Sequence, residues 1–256
     1  MKPILISLLA VGVLAGSAPA PAAPRTPVIV ELFTSEGCSS CPPADILLSQ
    51  LSERQPVPGV DVIALGEHVD YWNHGGWADR FSSPQFSARQ SDYSAAFRLN
   101  TVYTPQMVVD GRDQFNGSDE EQARSAIARA ARQPKAQVQI TPESVLKSAL
   151  NTDYLLIEVS RLPVSVKSDP AEVYLVVTED GLRSAVGGGE NAGQHLQHSA
   201  VVRQLIRLGE ISGGAFNSPI NVKLPPSAQR ENVHVVVFVQ QQNSRRIIGA
   251  AEVPFT

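Results

Sequence analysis

The chain has 256 residues, 43% hydrophobic and 18% charged, enough apolar material for a sizeable core; disorder as its main state is excluded. Its formal net charge is −4 with lysines and arginines scattered, so nucleic acid is set aside as a partner. The two cysteines, Cys38 and Cys41, are too few for a four-thiolate metal site or a disulfide framework, so they serve each other or a ligand.

The first 22 residues read as an address. Lys2, an apolar run over 4–14 and the small residues Gly16, Ser17, Ala18 and Ala20 match the three regions of a cleavable signal peptide. The apolar run is shorter than the ~20 residues that span a bilayer, and no cysteine near the cleavage region offers a lipid anchor. The expected product is a periplasmic or secreted protein with no stable membrane anchor, its thiols held in an oxidising compartment.

From residue 23 to 134 short apolar runs alternate with helical stretches. Residues 28–33 read as a buried strand and 42–53 as a helix with Ala44, Leu47, Leu48 and Leu51 on one face. A second strand covers 60–65, and Ser83 caps a helix that carries Pro84 at its first position and runs to about 99. Residues 106–109 and 112–115 flank Asp110-Gly111 as a β-hairpin. Ser118 and Glu121 form a capping box that opens a helix to about 132. The expected order is βαβαββα. After Pro134 the β signals repeat at 136–140, 154–160, 173–178, 220–224, 233–240 and 247–253, while 199–208 fits a strand or a short helix. A β-sandwich-like domain over 135–256 is expected to follow an α/β domain over 23–134.

Cys38-Ser39-Ser40-Cys41 falls between a strand and a helix start. There a thiolate meets unpaired backbone N–H groups and the positive end of the helix dipole, which suits Cys38 as an exposed, acidic attacking sulfur and Cys41 as the buried resolving one. An inert local disulfide is the plainer alternative.

The order of elements resembles the thioredoxin-like fold, and Thr104-Pro105-Gln106-Met107 looks like its cis-proline segment. The resemblance implies that Pro105 is cis, lies beside the cysteines, and that the backbone of Thr104 holds an extended substrate. The buried acid that thioredoxins carry six residues before the first cysteine is replaced by Leu32, so its proton-relay role does not carry over. A more specific match covers nearly the whole mature chain. VELFTSEGCSSCPPAD at 30–45, HVDYW at 68–72, Gly76-Trp77, Arg89-Gln90, YTPQM at 103–107, GENAG at 189–193 and HSAVVR at 198–203 resemble the exported bacterial family called domain of unknown function 1223. That resemblance implies a thioredoxin-like domain and supplies no substrate.

His68, Asp70, Tyr71, Trp72, His74 and Trp77 follow the second strand, where open α/β sheets place ligands. Trp72, Trp77 and His68 are candidates for binding extended polypeptide, with His68 or Asp70 as proton shuttles; the alternative is that the aromatics fill a core beneath a loop. His68 with the two thiols and Met107 also suits copper or zinc. His195 and His198 have a spacing compatible with a metal but no third ligand, and read as surface or loop residues. The favoured function is thiol-disulfide exchange through Cys38 and Cys41 without a cofactor, acting on exported polypeptide thiols or a redox partner protein. A metal chaperone and a noncatalytic binding module are the alternatives.

Overall fold

The computed structural model describes residues 24–142, 152–163, 168–211 and 214–255. The expected leader over 1–22 lies outside them. The first half runs β1 (Thr26–Thr34), α1 (Pro42–Arg54), β2 (Val60–His68), α2 (Pro84–Phe97), β3 (Gln106–Val109), β4 (Asp113–Asn116) and α3 (Glu120–Ala130), the order expected. The second half adds β5 (Gln137–Pro142), β6 (Thr152–Ser160), β7 (Ala171–Glu179), β8 (Leu182–Ala185), β9 (His195–His198), β10 (Val201–Glu210), β11 (Phe216–Lys223), β12 (Val233–Gln241) and β13 (Ile247–Pro254). Among the described residues no helix is long and apolar enough to cross a membrane.

Local chemistry explains the first-half boundaries. Ser83 accepts a hydrogen bond from the Gln85 N–H and Pro84 opens α2 where no amide donor is needed. The start of α3 departs from the expected capping box: Asp119 is the cap, its Oδ1 accepting from the Gln122 N–H at 2.9 Å, while Ser118 donates backward to Asn116. A carboxylate beats a hydroxyl here because it faces the positive end of the helix as well as an orphan N–H.

β1 lies between parallel β2 and antiparallel β3, and its alternation serves two faces. Val28, Val30 and Leu32 pack with Ala44, Leu47, Leu48 and Leu51 of α1 and with Ala123 and Ile127 of α3. Ile29 and Phe33 face the other way, where Phe86 and Tyr93 of α2 lie.

The β-rich half is not a self-contained sandwich. Strands β10, β7, β12 and β13 extend the sheet of the first half into one eight-stranded sheet, in the order β13-β12-β7-β10-β2-β1-β3-β4. The seam is the parallel contact of Val201 with Gly66, whose N–H donates to the Ala200 carbonyl at 2.8 Å. A side chain at Gly66 would press on the Ser199 and Ala200 carbonyls, so its absence lets the strands meet. The three-stranded sheet β11-β6-β5 covers only the distal part, burying Leu155, Ile157 and Val159 against Val173, Leu175, Val177, Val235 and Val237. The segment 199–208 resolves as β10, a strand, because its edges pair with β7 on one side and β2 on the other.

A second joint holds the halves together at the hairpin. Asp110 and Gly111 both have positive φ, as the turn requires. The Asp110 carboxylate accepts from the Ile29 N–H and from Lys135, and its carbonyl accepts from the Ile247 N–H. A Cβ on Gly111 would collide with the Arg245 carbonyl, so this turn admits only glycine.

Candidate functional site

β1 ends at Thr34, and the chain turns through Ser35, Glu36 and Gly37 into the cysteines before α1 begins. Cys41 caps α1 with helical φ and ψ (−79°, −36°), and Cys38 lies in the turn before it, the Cys41 N–H donating to the Cys38 carbonyl. Pro42 is tolerated because the first turn needs no amide donor. The two sulfurs form a disulfide with Cα atoms 5.4 Å apart. The Thr104–Pro105 bond is cis, and Pro105 is buried. Pro105 and Ala44 of α1 both lie 3.1 Å from where a Cβ on Gly117 would stand, which places the proline against the first turn of α1.

Cys38 was expected to be exposed. It is fully buried, as is Cys41. The reason comes from the other half of the chain, whose 187–193 loop lies over the turn. Asn191, itself buried, donates through Nδ2 to the carbonyls of Glu36 and Cys38, both at 2.9 Å. Glu190 accepts from the Ser39 N–H at 3.1 Å and the Ser39 hydroxyl at 2.6 Å, which hold its carboxylate below the usual range. Gly187 and Gly189 flank the Trp77 side chain, and Gly188 packs backbone to backbone on Gly76. Only Ser39 and Ser40 of the motif are exposed.

The aromatic loop takes part in this closure. Trp72 lies over Gly37 and donates to Thr104 Oγ1 at 2.8 Å; Trp77 donates to Glu36 Oε2 at 2.7 Å. Both indoles are half-buried and anchored, while Tyr71 and His74 stay exposed. Asp70 turns away to Ser87 of α2.

His68 does not face an open surface. It is buried, its Nδ1 2.6 Å from Asp79 Oδ2. Burial works against a charged His68, yet the hydrogen bond and charge of Asp79, with Asp45 and Glu36 beyond, raise its pKa. Asp79 is opposed by burial but held low by His68 and by the N–H groups of Glu36 and Phe81.

The pair supplies stability in a defined window, above the unfolded aspartate value near 3.9 and fading as pH rises through the raised pKa of folded His68. Asp79→Asn should therefore cost about 1.5–3 kcal/mol near pH 5–6, and less above it, because a charge-assisted hydrogen bond is lost. Urea unfolding of both proteins across pH 4.5–8.5 measures the difference; a cost that grows with pH would refute the charged pair.

His198 is the largest departure from expectation. Read as a surface or loop residue, it is buried, its ring 4.9 Å from that of His68. His198 Nε2 lies 3.3 Å from Glu36 Oε1 and Nδ1 lies 4.0 Å from Asp45 Oδ2. His195, three residues back on β9, is exposed. In His195-Leu196-Gln197-His198 the period of two puts His198 on the face of Leu196, but over four residues that alternation does not stand out from a loop. Burial raises the pKa of Asp45, with His198 and His68 working against it. Glu36 is pushed up by burial but held below its usual range by His198, Ser184 and Trp77. Met107 lies in the apolar core beside Leu32 and Ala44. Among the described residues no group of three or more histidines, cysteines and acids has metal-binding geometry.

No curated protein matches the chain. A crystal structure of a protein from Agrobacterium tumefaciens superposes with TM-score 0.65 at 28% identity, covering 92% of this chain and 97% of that one. HBP35 of Porphyromonas gingivalis superposes equally well, TM-score 0.65, at 14% identity over 92% of this chain and 77% of its own, which is a likeness of fold. The model of the family described as protein of unknown function DUF1223 matches residues 29–240, and the chain belongs to that family.

Proposed function

We propose that this chain is an exported thiol-disulfide exchange protein, its first half a thioredoxin-like unit, acting on polypeptide thiols in the periplasm or outside the cell. The observation that carries the reading is the Cys38–Cys41 disulfide in the turn between β1 and α1, with Pro105 packed against the first turn of that helix. A sulfur at the start of a helix gains from the positive end of the helix dipole when it becomes a thiolate, which is what a leaving or attacking sulfur needs. Cys41 belongs to the helix and Cys38 to the turn, so Cys38 is the sulfur that exchanges with substrate and Cys41 the one that resolves.

Reduced, unfolded polypeptide offered to the oxidised protein tests this. The wild type should speed disulfide formation in the polypeptide as its own pair is reduced. Cys41→Ser, activated at Cys38 as a mixed disulfide with a small aromatic thiol, should trap the polypeptide through Cys38. The same treatment of Cys38→Ser should trap none. Equal trapping by both would overturn the assignment of roles, and no effect of the wild type would overturn the function.

A further inference from the structure

Behind the disulfide lies a group of buried ionisable side chains that the exchange reaction as stated does not use. Glu36 comes from the turn after β1, Asp45 from α1, His68 from the end of β2, Asp79 from the loop beyond it and His198 from β9 of the other half. Glu36 and Asp45 bracket the cysteines in sequence, two residues before Cys38 and four after Cys41. His198 stands between them.

Two geometric facts tie this group to Cys41. Cys41 has helical backbone angles and its carbonyl accepts from the Asp45 N–H at 3.1 Å, so the two are an i, i+4 pair on one helical face. Cβ atoms so related lie about 5–6 Å apart, within reach of a direct or water-bridged proton transfer. The Asp45 side chain is only 9% exposed. In addition, the His198 ring, 2% exposed, stands between two acids, its Nε2 3.3 Å from Glu36 Oε1 and its Nδ1 4.0 Å from Asp45 Oδ2. Burying ionisable groups is costly even when they are paired, and a histidine set between two acids next to a disulfide is placed to move protons.

We infer that Asp45 exchanges the proton of Cys41 during the redox cycle and that His198, delivered by the second half of the chain, is the positioning residue that sets the protonation of Asp45. The inference rests on the proposed exchange function. A substrate thiolate attacks Cys38 Sγ, the Cys38–Cys41 bond breaks, a Cys38–substrate disulfide forms, and the electron pair leaves on Cys41 Sγ. That thiolate takes the proton from Asp45. A second substrate thiolate then attacks the substrate sulfur of that mixed disulfide and displaces Cys38, leaving the substrate as a disulfide and the protein with a Cys38 thiolate, a Cys41 thiol and an ionised Asp45. His68, held by Asp79, packs edge-on against the His198 ring.

The test is the rate at which dithiothreitol reduces the disulfide, corrected for its thiolate concentration and measured from pH 5 to 8, where histidines change charge. The wild type should show a bend. His198→Gln should remove the bend and slow the reaction about 10- to 100-fold, the lower part of the range for acid-base catalysis. Asp45→Asn should do the same, and it keeps the inference testable if the histidine variant fails to fold. His195→Gln, on the exposed face of β9, should leave rate and profile unchanged.

A wild type that exchanges with reduced polypeptide while His198→Gln and Asp45→Asn keep its rate and bend overturns this inference alone. A wild type that does not exchange overturns the function and this step with it.

Discussion

Replacing Arg89 by Met should lower folding stability by about 3–5 kcal/mol, the cost of leaving a buried charge without its partner. Arg89 of α2 is 4% exposed and reaches Glu31 of β1 through Nε and Nη2 at 2.6 and 2.5 Å, with Glu67 of β2 3.4 Å away. It also donates to Gln240 of β12 and to the Tyr93 hydroxyl, which itself donates to Glu31 at 2.5 Å. One cation thus faces two fully buried carboxyl groups.

Burial and the charge of Glu31 push Glu67 well above the usual glutamate range, Arg89 only partly offsetting them, so the site favours the neutral form of Glu67 beside a charged Arg89. The sign follows from linkage. A carboxyl that is protonated when folded and ionised when unfolded makes the native state bind more protons, so stability falls as pH rises above the unfolded value near 4.3. Glu67→Gln mimics the protonated form and escapes that loss. The Gln variant should equal the wild type near pH 4 and become more stable than it as pH rises above the unfolded glutamate value, whereas Arg89→Met is destabilised at every pH. Chemical denaturation of the three proteins at several pH values measures both effects. A Glu67→Gln variant less stable than the wild type at pH 8 would mean that the native state holds both carboxylates ionised.

The same network shows what was legible in the sequence and what was not. Elements set by local signals could be read directly: the apolar runs of β1 and β2, the Ser83-Pro84 start of α2, the Asp110-Gly111 turn and the cysteine pair between strand and helix. Where two local signals competed within a few residues, as with Ser118 and Asp119, the charge decided in favour of the aspartate. The continuity of the sheet was illegible because it depends on Gly66 meeting Ala200 across a separation of more than 130 residues, a contact that leaves no local periodicity. β8 and β9 are four residues each, too short for an alternation to stand out from a loop. The site followed the same division. The nearness of Cys38 to Cys41 and the cis bond at Pro105 are legible from chain order. The contacts of Glu190 with Ser39, of Asn191 with the Cys38 carbonyl and of His198 with Glu36 are not, because they arise only through the fold of the second half.

Asn191→Ala should raise the rate at which a small thiol reduces the Cys38–Cys41 disulfide by about 30- to 150-fold. Both cysteines are fully covered, so attack requires the 187–193 loop to move, and the rate is the product of the open fraction and the reactivity of the open form. Asn191 contributes two hydrogen bonds to carbonyls, each worth about 1 kcal/mol net, and its loss strands the Glu36 and Cys38 carbonyls in a closed state that excludes water. Together these favour opening by about 2–3 kcal/mol, hence the fold-change. Glu190→Gln should act in the same direction but more weakly, because its contact with Ser39 is at the surface, where solvent screens the charge. Added salt should narrow the gap between wild type and Glu190→Gln and leave the Asn191 effect in place, since only one of the two contacts involves a full charge. Reduction followed by alkylation and mass measurement gives the rates. If Asn191→Ala is reduced no faster than the wild type while its fold is intact, the loop is not what limits access, and the barrier lies in the chemistry at sulfur.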